Sequence, residues 1–376
     1  MARVVDLWHR NDRTRSTLYG VGKRWQAVWV EDGRERKKSF STKDEARSHV
    51  TNVDHNQRSG TYIRADKGRV AVSELLPLWV NTLAHLKPST LAATKSDVEA
   101  TIKPYWGSRY LADIKRADVQ EWVMTMSKAD GKPKAARTVD TIYGRFRSFM
   151  NWCVAENRIA ISPCQGINLP AGNKREHIFL TVEQVGRLAD TIDPHYADLV
   201  WFLATTGLRF GEAAELRSKD VSLKARRVVV ARSVTTAEGR MVIGPPKSGK
   251  ARTVPLTEFM AARLGGRLGE RDALVFATPR GAALRSNNFK RAHYDPAVDA
   301  AGLPEGLWVH DLRHTAASLA IASGASVKSV QRMLGHASAA LTLDIYAGLF
   351  DQELSDVAAR MDGLLARQPQ PHDSDA

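Results

Sequence analysis

Between Asn157 and Glu176 the chain carries Pro163, Gly166, Pro170 and Gly172 and closes on Asn173-Lys174-Arg175-Glu176. Proline lacks a backbone donor and glycine costs backbone entropy, so no regular element runs through such a stretch. It divides a chain of 376 residues, already too long for one ordinary core. We expect a multidomain α+β protein. Residues 1–65 form a small β-sheet-plus-helix module, 70–163 an all-α domain, and 164–176 a linker. A mixed, mainly helical domain with a small antiparallel sheet follows at 177–365, and 366–376 form a disordered tail.

The hydrophobic period changes along the chain. Trp25 to Val30 alternates with period two, Glu31-Asp32-Gly33 is a turn signal, and Arg34 to Phe40 is a return strand. That return strand is basic, with Arg34, Arg36, Lys37 and Lys38. Ser41-Thr42-Lys43-Asp44-Glu45 then opens a helix, and residues 52–69, polar and breaker-containing, read as a linker. From Val72 the period is helical through Leu75, Leu76, Trp79, Val80 and Leu83. Further helices are expected from Ser89 or Thr90 as cap, around Val119 to Met126, and from Ala136 to Asn157. Lys87, Lys95, Arg145 and Arg147 lie between these apolar faces, where phosphate contact is possible.

Net charge is +14, which suggests a polyanionic partner, and it is uneven. Residues 1–69 hold 16 Lys/Arg against 9 Asp/Glu, so a fifth of the chain carries half the excess. A basic ribbon backed by a helix suits a DNA groove; a basic sheet with no DNA role is the plainer alternative. Cys153 and Cys164 make neither a disulfide framework nor a zinc set and read as reduced, packed thiols. No run is long enough to span a membrane, and Met1 to Asp6 lacks an apolar export core. A cytoplasmic, nucleoid-associated protein without a cofactor is expected.

Four stretches in the last domain carry chemistry. Thr206-Gly207-Leu208-Arg209 ends an apolar helix on a glycine turn, aiming Arg209 at an oxyanion. Glu212 either orients Arg209 or caps its own helix. His310 and Arg313 share a helical face at i,i+3, so a guanidinium and an imidazole can serve one phosphate. His310 and His314 at i,i+4 raise a zinc alternative, but Asp311 stands where a metalloprotease needs glutamate. Gly244 to Lys250 fits part of a phosphate-binding P-loop, yet Ala251 replaces the magnesium-holding hydroxyl and the stretch reads as a hairpin tip around Lys247, among the strand-like runs Val228 to Thr235 and Met241 to Leu256. Leu334-Gly335-His336 precedes Tyr346 by ten residues; alone, that tyrosine reads as an ordinary core residue.

Taken in order, Arg209, Lys247, His310, Arg313, His336 and Tyr346 resemble the tyrosine recombinase (phage integrase) family. The resemblance spans roughly residues 20 to 365 and is strongest over 206–347. It implies an arm-type DNA-binding domain at 1–65, a core-binding domain at 70–163 and a catalytic domain at 177–365. It implies a metal-free reaction in which Tyr346 forms a 3′-phosphotyrosyl bond. Arg209 and Arg313 would neutralise the phosphate, with His310 as base, His336 as hydrogen-bond donor and Lys247, or Lys250 nearby, as acid. Double-stranded DNA and a homotetramer follow, with a DNA-bending host factor and an excisionase as further partners. Leu349, Phe350, Leu354, Val357, Met361, Leu364 and Leu365 would dock on a neighbouring subunit or pack on their own domain. Chromosome- or plasmid-dimer resolution and a catalytically silent DNA-binding regulator are the alternatives.

Overall fold

The computed structural model describes residues 2–31, 33–58, 68–128, 133–172, 175–351 and 361–362. The chain forms two compact units, Met1–Asn173 and Lys174–Ala376.

The first unit opens with a three-stranded antiparallel sheet of β1 (Arg3–Asp6), β2 (Trp25–Glu31) and β3 (Arg34–Phe40), with β2 central. Helix α1 (Lys43–Arg58) covers one face, where His49 meets the rings of Trp29 and Phe40 at 5.1 and 5.2 Å. The polar stretch read as a linker from residue 52 is helical through Arg58. Its few apolar residues explain this: Ala46, Val50 and Val53 recur at helical spacing, and Ala46 and Val53 are buried. Residues 59–67 lie outside the described ones.

The helical part of this unit holds α2 (Val72–Thr82), α3 (Pro88–Asp97), α4 (Lys103–Trp106), α5 (Arg116–Lys128) and α6 (Ala136–Ala155). Trp79, Trp106, Trp122, Phe146 and Phe149 fill its core. Helix α3 starts on Pro88 after Lys87 with no side-chain cap, so Ser89 and Thr90 lie inside the first turn. Proline at that position loses no hydrogen bond and is preset to a helical φ. The breaker-rich stretch does not leave the bundle at once. Cys164 is buried, its carbonyl accepts from the Tyr143 hydroxyl at 2.6 Å, and the Asn168 backbone exchanges two bonds with Gln120. Residues 164–172 thus pack on the helices, and the division between units falls at Asn173.

The second unit is built on α7 (Val182–Thr191) and α8 (Pro194–Thr206), followed by the short α9 (Phe210–Ala213). Thr181 and Gln184 close a reciprocal capping box on α7. The two long strand-like runs each break in two. Strands β4 (Val221–Ser222), β5 (Arg227–Val230) and β8 (Arg252–Pro255) make one antiparallel sheet in the order β4-β5-β8. Strands β6 (Ser233–Ala237) and β7 (Arg240–Gly244) make a separate hairpin whose tip is Glu238-Gly239. Lys247 therefore sits on a loop joining two sheets rather than on a hairpin tip. Helices α10 (Glu258–Leu264), α11 (Ser286–Phe289), α12 (Asp295–Ala300), α13 (Asp311–Ala322), α14 (Val327–Leu334) and α15 (Ala339–Asp351) complete the unit. Leu349 and Phe350 pack against the cluster around Tyr346. Leu354, Val357, Leu364, Leu365 and the expected tail lie outside the described residues.

Gly207 ends α8 in the left-handed region at φ 64°, and a Cβ there would stand 2.7 Å from Leu334 Cδ2. Gly207→Ala is expected to cost about 1–3 kcal/mol, from strained backbone and displaced packing. Urea unfolding at neutral pH measures it, and a loss under about 0.5 kcal/mol would show that the turn relaxes freely.

Candidate active site

The left-handed turn at Gly207 releases the chain from α8, and Arg209 follows two residues on, as the N-cap of α9. Glu212, 2% exposed, fills both roles the sequence left open. One carboxylate oxygen accepts from the Arg209 backbone N–H at 2.9 Å, and the other from its guanidinium at 3.1 Å. Arg252, on β8, closes the carboxylate from the far side with bonds of 3.0 and 2.6 Å, and its Nε donates to the Met333 carbonyl at 3.0 Å. Burial works to raise the Glu212 pKa, but Arg252 and Arg209 outweigh it and hold the group below the usual carboxylate range. Sequence reasoning did not single out Arg252 as a site residue. Its position beside the Lys247 loop was visible, but its partner is 40 positions away.

Helix α13 supplies the next group. Arg313, 2% exposed, donates to the Gly207 carbonyl at 2.5 Å and the Leu334 carbonyl at 2.7 Å, tying three of the four sequence stretches together. Burial and the neighbouring Arg209 push its guanidinium down to about 9, still protonated at pH 7. His310 stands at the exposed N-terminal edge of α13; protein packed behind its ring, with Arg313 and Arg209, pushes the imidazole down to about 4. Arg209 and Arg252 thus bond one carboxylate, and Arg313 stands within its electrostatic reach as a third cation.

Gly335 ends α14 at φ 68° with Arg252 packed against it, and the turn delivers His336. His336 pairs through Nδ1 with Thr342 Oγ1 at 3.0 Å; burial, then Arg313, Arg209 and Arg252, push it down to about 4. Tyr346 on α15 is 1% exposed, with its ring nearly parallel to that of His336 at 6.5 Å. Burial pushes its hydroxyl up to about 12, against the opposing pull of Arg313. Its hydroxyl bonds to His314 Nδ1 at 2.8 Å, a partner the sequence reading weighed only as a zinc ligand. His314 is held down at about 3 by burial and by His177 and His310, and its ring stacks on His177 at 4.0 Å.

Among the described residues His177, Asp311 and His314 bring metal-type ligand atoms within 4.8 Å of one another. They do not suit a cation. The Asp311 carboxylate takes two bonds from Arg175, at 3.0 and 2.5 Å, and one from the Trp308 backbone at 2.7 Å. A guanidinium already stands where the metal's charge would go. The P-loop-like stretch runs into strand β8, not a helix, so it lacks the helix N-terminus that such a loop needs. Lys247 and Lys250 are both exposed on it.

The candidate DNA-binding residues fall in three settings. On β3 the strand register places Arg34, Arg36 and Lys38 on the α1 side, and Lys37 on the open face with Glu35. Glu35 pairs with Arg3 at 2.7 Å and Lys37 at 3.7 Å, while Arg36 pairs with Glu31 at 2.7 Å. Lys87, Lys95 and Arg147 are exposed on the helical part. Arg145 instead is engaged inside it, pairing with Asp97 and donating to the Ala93 carbonyl at 2.8 Å.

A helical bundle, followed by a unit with two small antiparallel sheets and an Arg, His, Arg, His, Tyr set, has the make-up of a tyrosine-type DNA strand-transfer enzyme. Residues 178–353 match the phage integrase family and 72–127 match the phage integrase N-terminal SAM-like domain. The chain belongs to the phage integrase family of tyrosine recombinases, which break and rejoin DNA at specific sites. It is 27% identical over 317 residues to an integrase of Mycobacterium phage FRAT1, covering 80% of this chain and 93% of that one. It is 28% identical to an integrase of Mycobacterium phage D29, covering 80% and 83%. The Tn1549 transposon integrase with transposon right end DNA shares the fold, with TM-score 0.66 at 18% identity over 77% of this chain and all of that one. A lambda integrase tetramer bound to a Holliday junction does so with TM-score 0.58 at 17% identity, covering 89% and 96%.

Proposed function

We propose that the chain integrates a phage or another mobile element into DNA, and with a partner excises it, through a 3′-phosphotyrosyl intermediate. The observation that carries this reading is the imbalance of three guanidinium groups, Arg209, Arg252 and Arg313, against the one carboxylate of Glu212, close to Tyr346. An excess of buried positive charge is unfavourable until an anion arrives. A DNA phosphate supplies one, and it gains charge as the transition state forms.

Tyr346 Oη attacks phosphorus as the bond to the 5′-oxygen breaks. His310 takes the phenol proton; at about 4 its imidazole is uncharged at neutral pH and free to accept it. Lys247, or Lys250 on the same loop, protonates the leaving oxygen, a task worth roughly 10²–10⁴-fold. His336 hydrogen-bonds the phosphate, and Arg209 and Arg313 neutralise its oxygens. The 5′-hydroxyl of a partner strand then displaces the tyrosine and restores the phosphodiester. One bond is exchanged for a like bond, so neither ATP nor a cofactor is required.

The basic β-sheet module, with Lys37 and Arg3 on its open face, serves arm-type sites, and the helical domain with Lys87, Lys95 and Arg147 grips the core site. Four protomers act on two duplexes, with a DNA-bending host protein and an excisionase as partners, in the cytoplasm where the nucleoid lies. The phage integrases among the relatives and the transposon and lambda integrase structures, with DNA in them, support this reading. Resolution of chromosome or plasmid dimers is the second reading, favoured by a 28% identical XerC-type recombinase of Ralstonia pickettii. The basic amino-terminal module favours integration.

The test is covalent trapping on a nicked substrate carrying the element's attachment core, in EDTA. Wild type is expected to give an SDS-resistant protein–DNA adduct, and Tyr346→Phe none. An adduct that survives in Tyr346→Phe moves the nucleophile elsewhere; binding without any adduct leaves a silent regulator.

A further inference from the structure

The roles above leave His314 unused, although its Nδ1 is the only hydrogen-bonding partner of the Tyr346 hydroxyl among the described residues. The pair is deeply enclosed: Tyr346 is 1% exposed and His314 6%, with Phe179 and His177 packed over them. A DNA phosphate cannot enter such a place, so a tyrosine that attacks one must bring its hydroxyl out. We propose that His314 is a positioning residue that keeps Tyr346 docked and unreactive, and that strand cleavage begins with the breaking of this bond. The inference rests on the reading of Tyr346 as nucleophile.

The direction of the bond follows from chemistry. The phenol hydrogen has no other acceptor among the described residues, so the tautomer that satisfies it has Nδ1 accepting from the phenol and the ring hydrogen on Nε2. Proton transfer across the bond is strongly unfavourable, because the phenol sits at about 12 and the imidazole at about 3. In this position His314 restrains the hydroxyl and does not activate it. Activation falls to groups that the tyrosine meets after it leaves, in keeping with His310 at the exposed edge of α13. The docked state is held further by Ala317, Ile321, Val330 and Leu334 around the ring. Release therefore costs apolar burial as well as one hydrogen bond, a cost that DNA or a neighbouring protomer would offset.

Removing the acceptor leaves a buried hydroxyl unsatisfied, which shifts the balance toward the released state by on the order of tenfold. The experiment is nitration of the full-length, DNA-free protein by tetranitromethane, read by peptide mass spectrometry. Tyr19 and Tyr110, 41% and 52% exposed, report free reactivity, and fully buried Tyr294 reports an intact domain. In wild type Tyr346 is expected to react far more slowly than Tyr19. His314→Phe keeps the ring and loses the acceptor, so Tyr346 nitration rises about tenfold while Tyr294 stays protected. His314→Asn restores an acceptor near the Nδ1 position and returns the rate close to wild type. Where the Phe variant exposes Tyr294, the smaller His314→Leu is read in its place. Unchanged nitration in the acceptor-free variant, or equal release by Asn, overturns the proposal. The adduct assay separates the two readings: an adduct in Tyr346→Phe overturns the nucleophile assignment whatever nitration shows.

Discussion

Arg313→Ala is expected to lower adduct formation about a thousandfold and to unfold the protein more easily by about 2–4 kcal/mol. Both losses come from one side chain. Its guanidinium bonds the carbonyls of Gly207 and Leu334, so truncation leaves two buried acceptors without a donor. The same cation faces the position proposed for the phosphate, where its charge counts most as the transition state forms. Arg313→Lys separates the two effects: an ammonium keeps the charge but cannot span both carbonyls with a planar fork. Single-turnover cleavage and urea unfolding on the three proteins check this. Near-normal cleavage by Arg313→Ala would remove the residue from the phosphate site and leave it a purely structural link.

Glu212→Gln is expected to cost about 3–5 kcal/mol, because it breaks a buried charge pair while Arg209, Arg252 and Arg313 stay in place. The carboxylate is depressed in the folded state, so its contribution is fully present above its unfolded value and is lost as pH falls through the folded one. Histidines act at higher pH. His314 and His336 are held near 3 and 4 in the folded protein, so below about 6.5 the unfolded chain binds their protons first. Stability should therefore fall from pH 6.5 toward 4, by about 1.4 kcal/mol per pH unit for each group at most. Thermal unfolding from pH 7.5 to 4.5 reads the slope. A flat profile for wild type would mean that these imidazoles are hydrated, and an unchanged melting temperature in Glu212→Gln would mean that the arginines find other partners.

Local pattern made the elements legible. Period two around Trp25 and the return strand to Phe40 match β2 and β3, and the helical repeats match α2, α5, α6, α8 and the last helices. Those periods express which side of each element meets a core, which is a property of neighbouring residues. Element ends were less legible. Lone valines extended α1 beyond its polar sequence because of what lay opposite them in space, and Pro88 opened α3 in place of a hydroxyl cap because its φ is already helical. Sheet pairing was hidden too. Nothing between Val228 and Leu256 announces that β5 pairs with β8 past a separate hairpin, which moves Lys247 from a tip to a connecting loop.

The sequence by itself determined the order of the chemical stretches, their residue types and the family they point to, since side-chain chemistry and short spacing are written locally. Tertiary structure alone decided the pairings. Arg252 meets Glu212 across 40 positions, and His314 meets Tyr346 across 32. Such partners are selected by the packing of whole helices and strands, where a buried charge or hydroxyl accepts whichever complementary group the fold brings within reach.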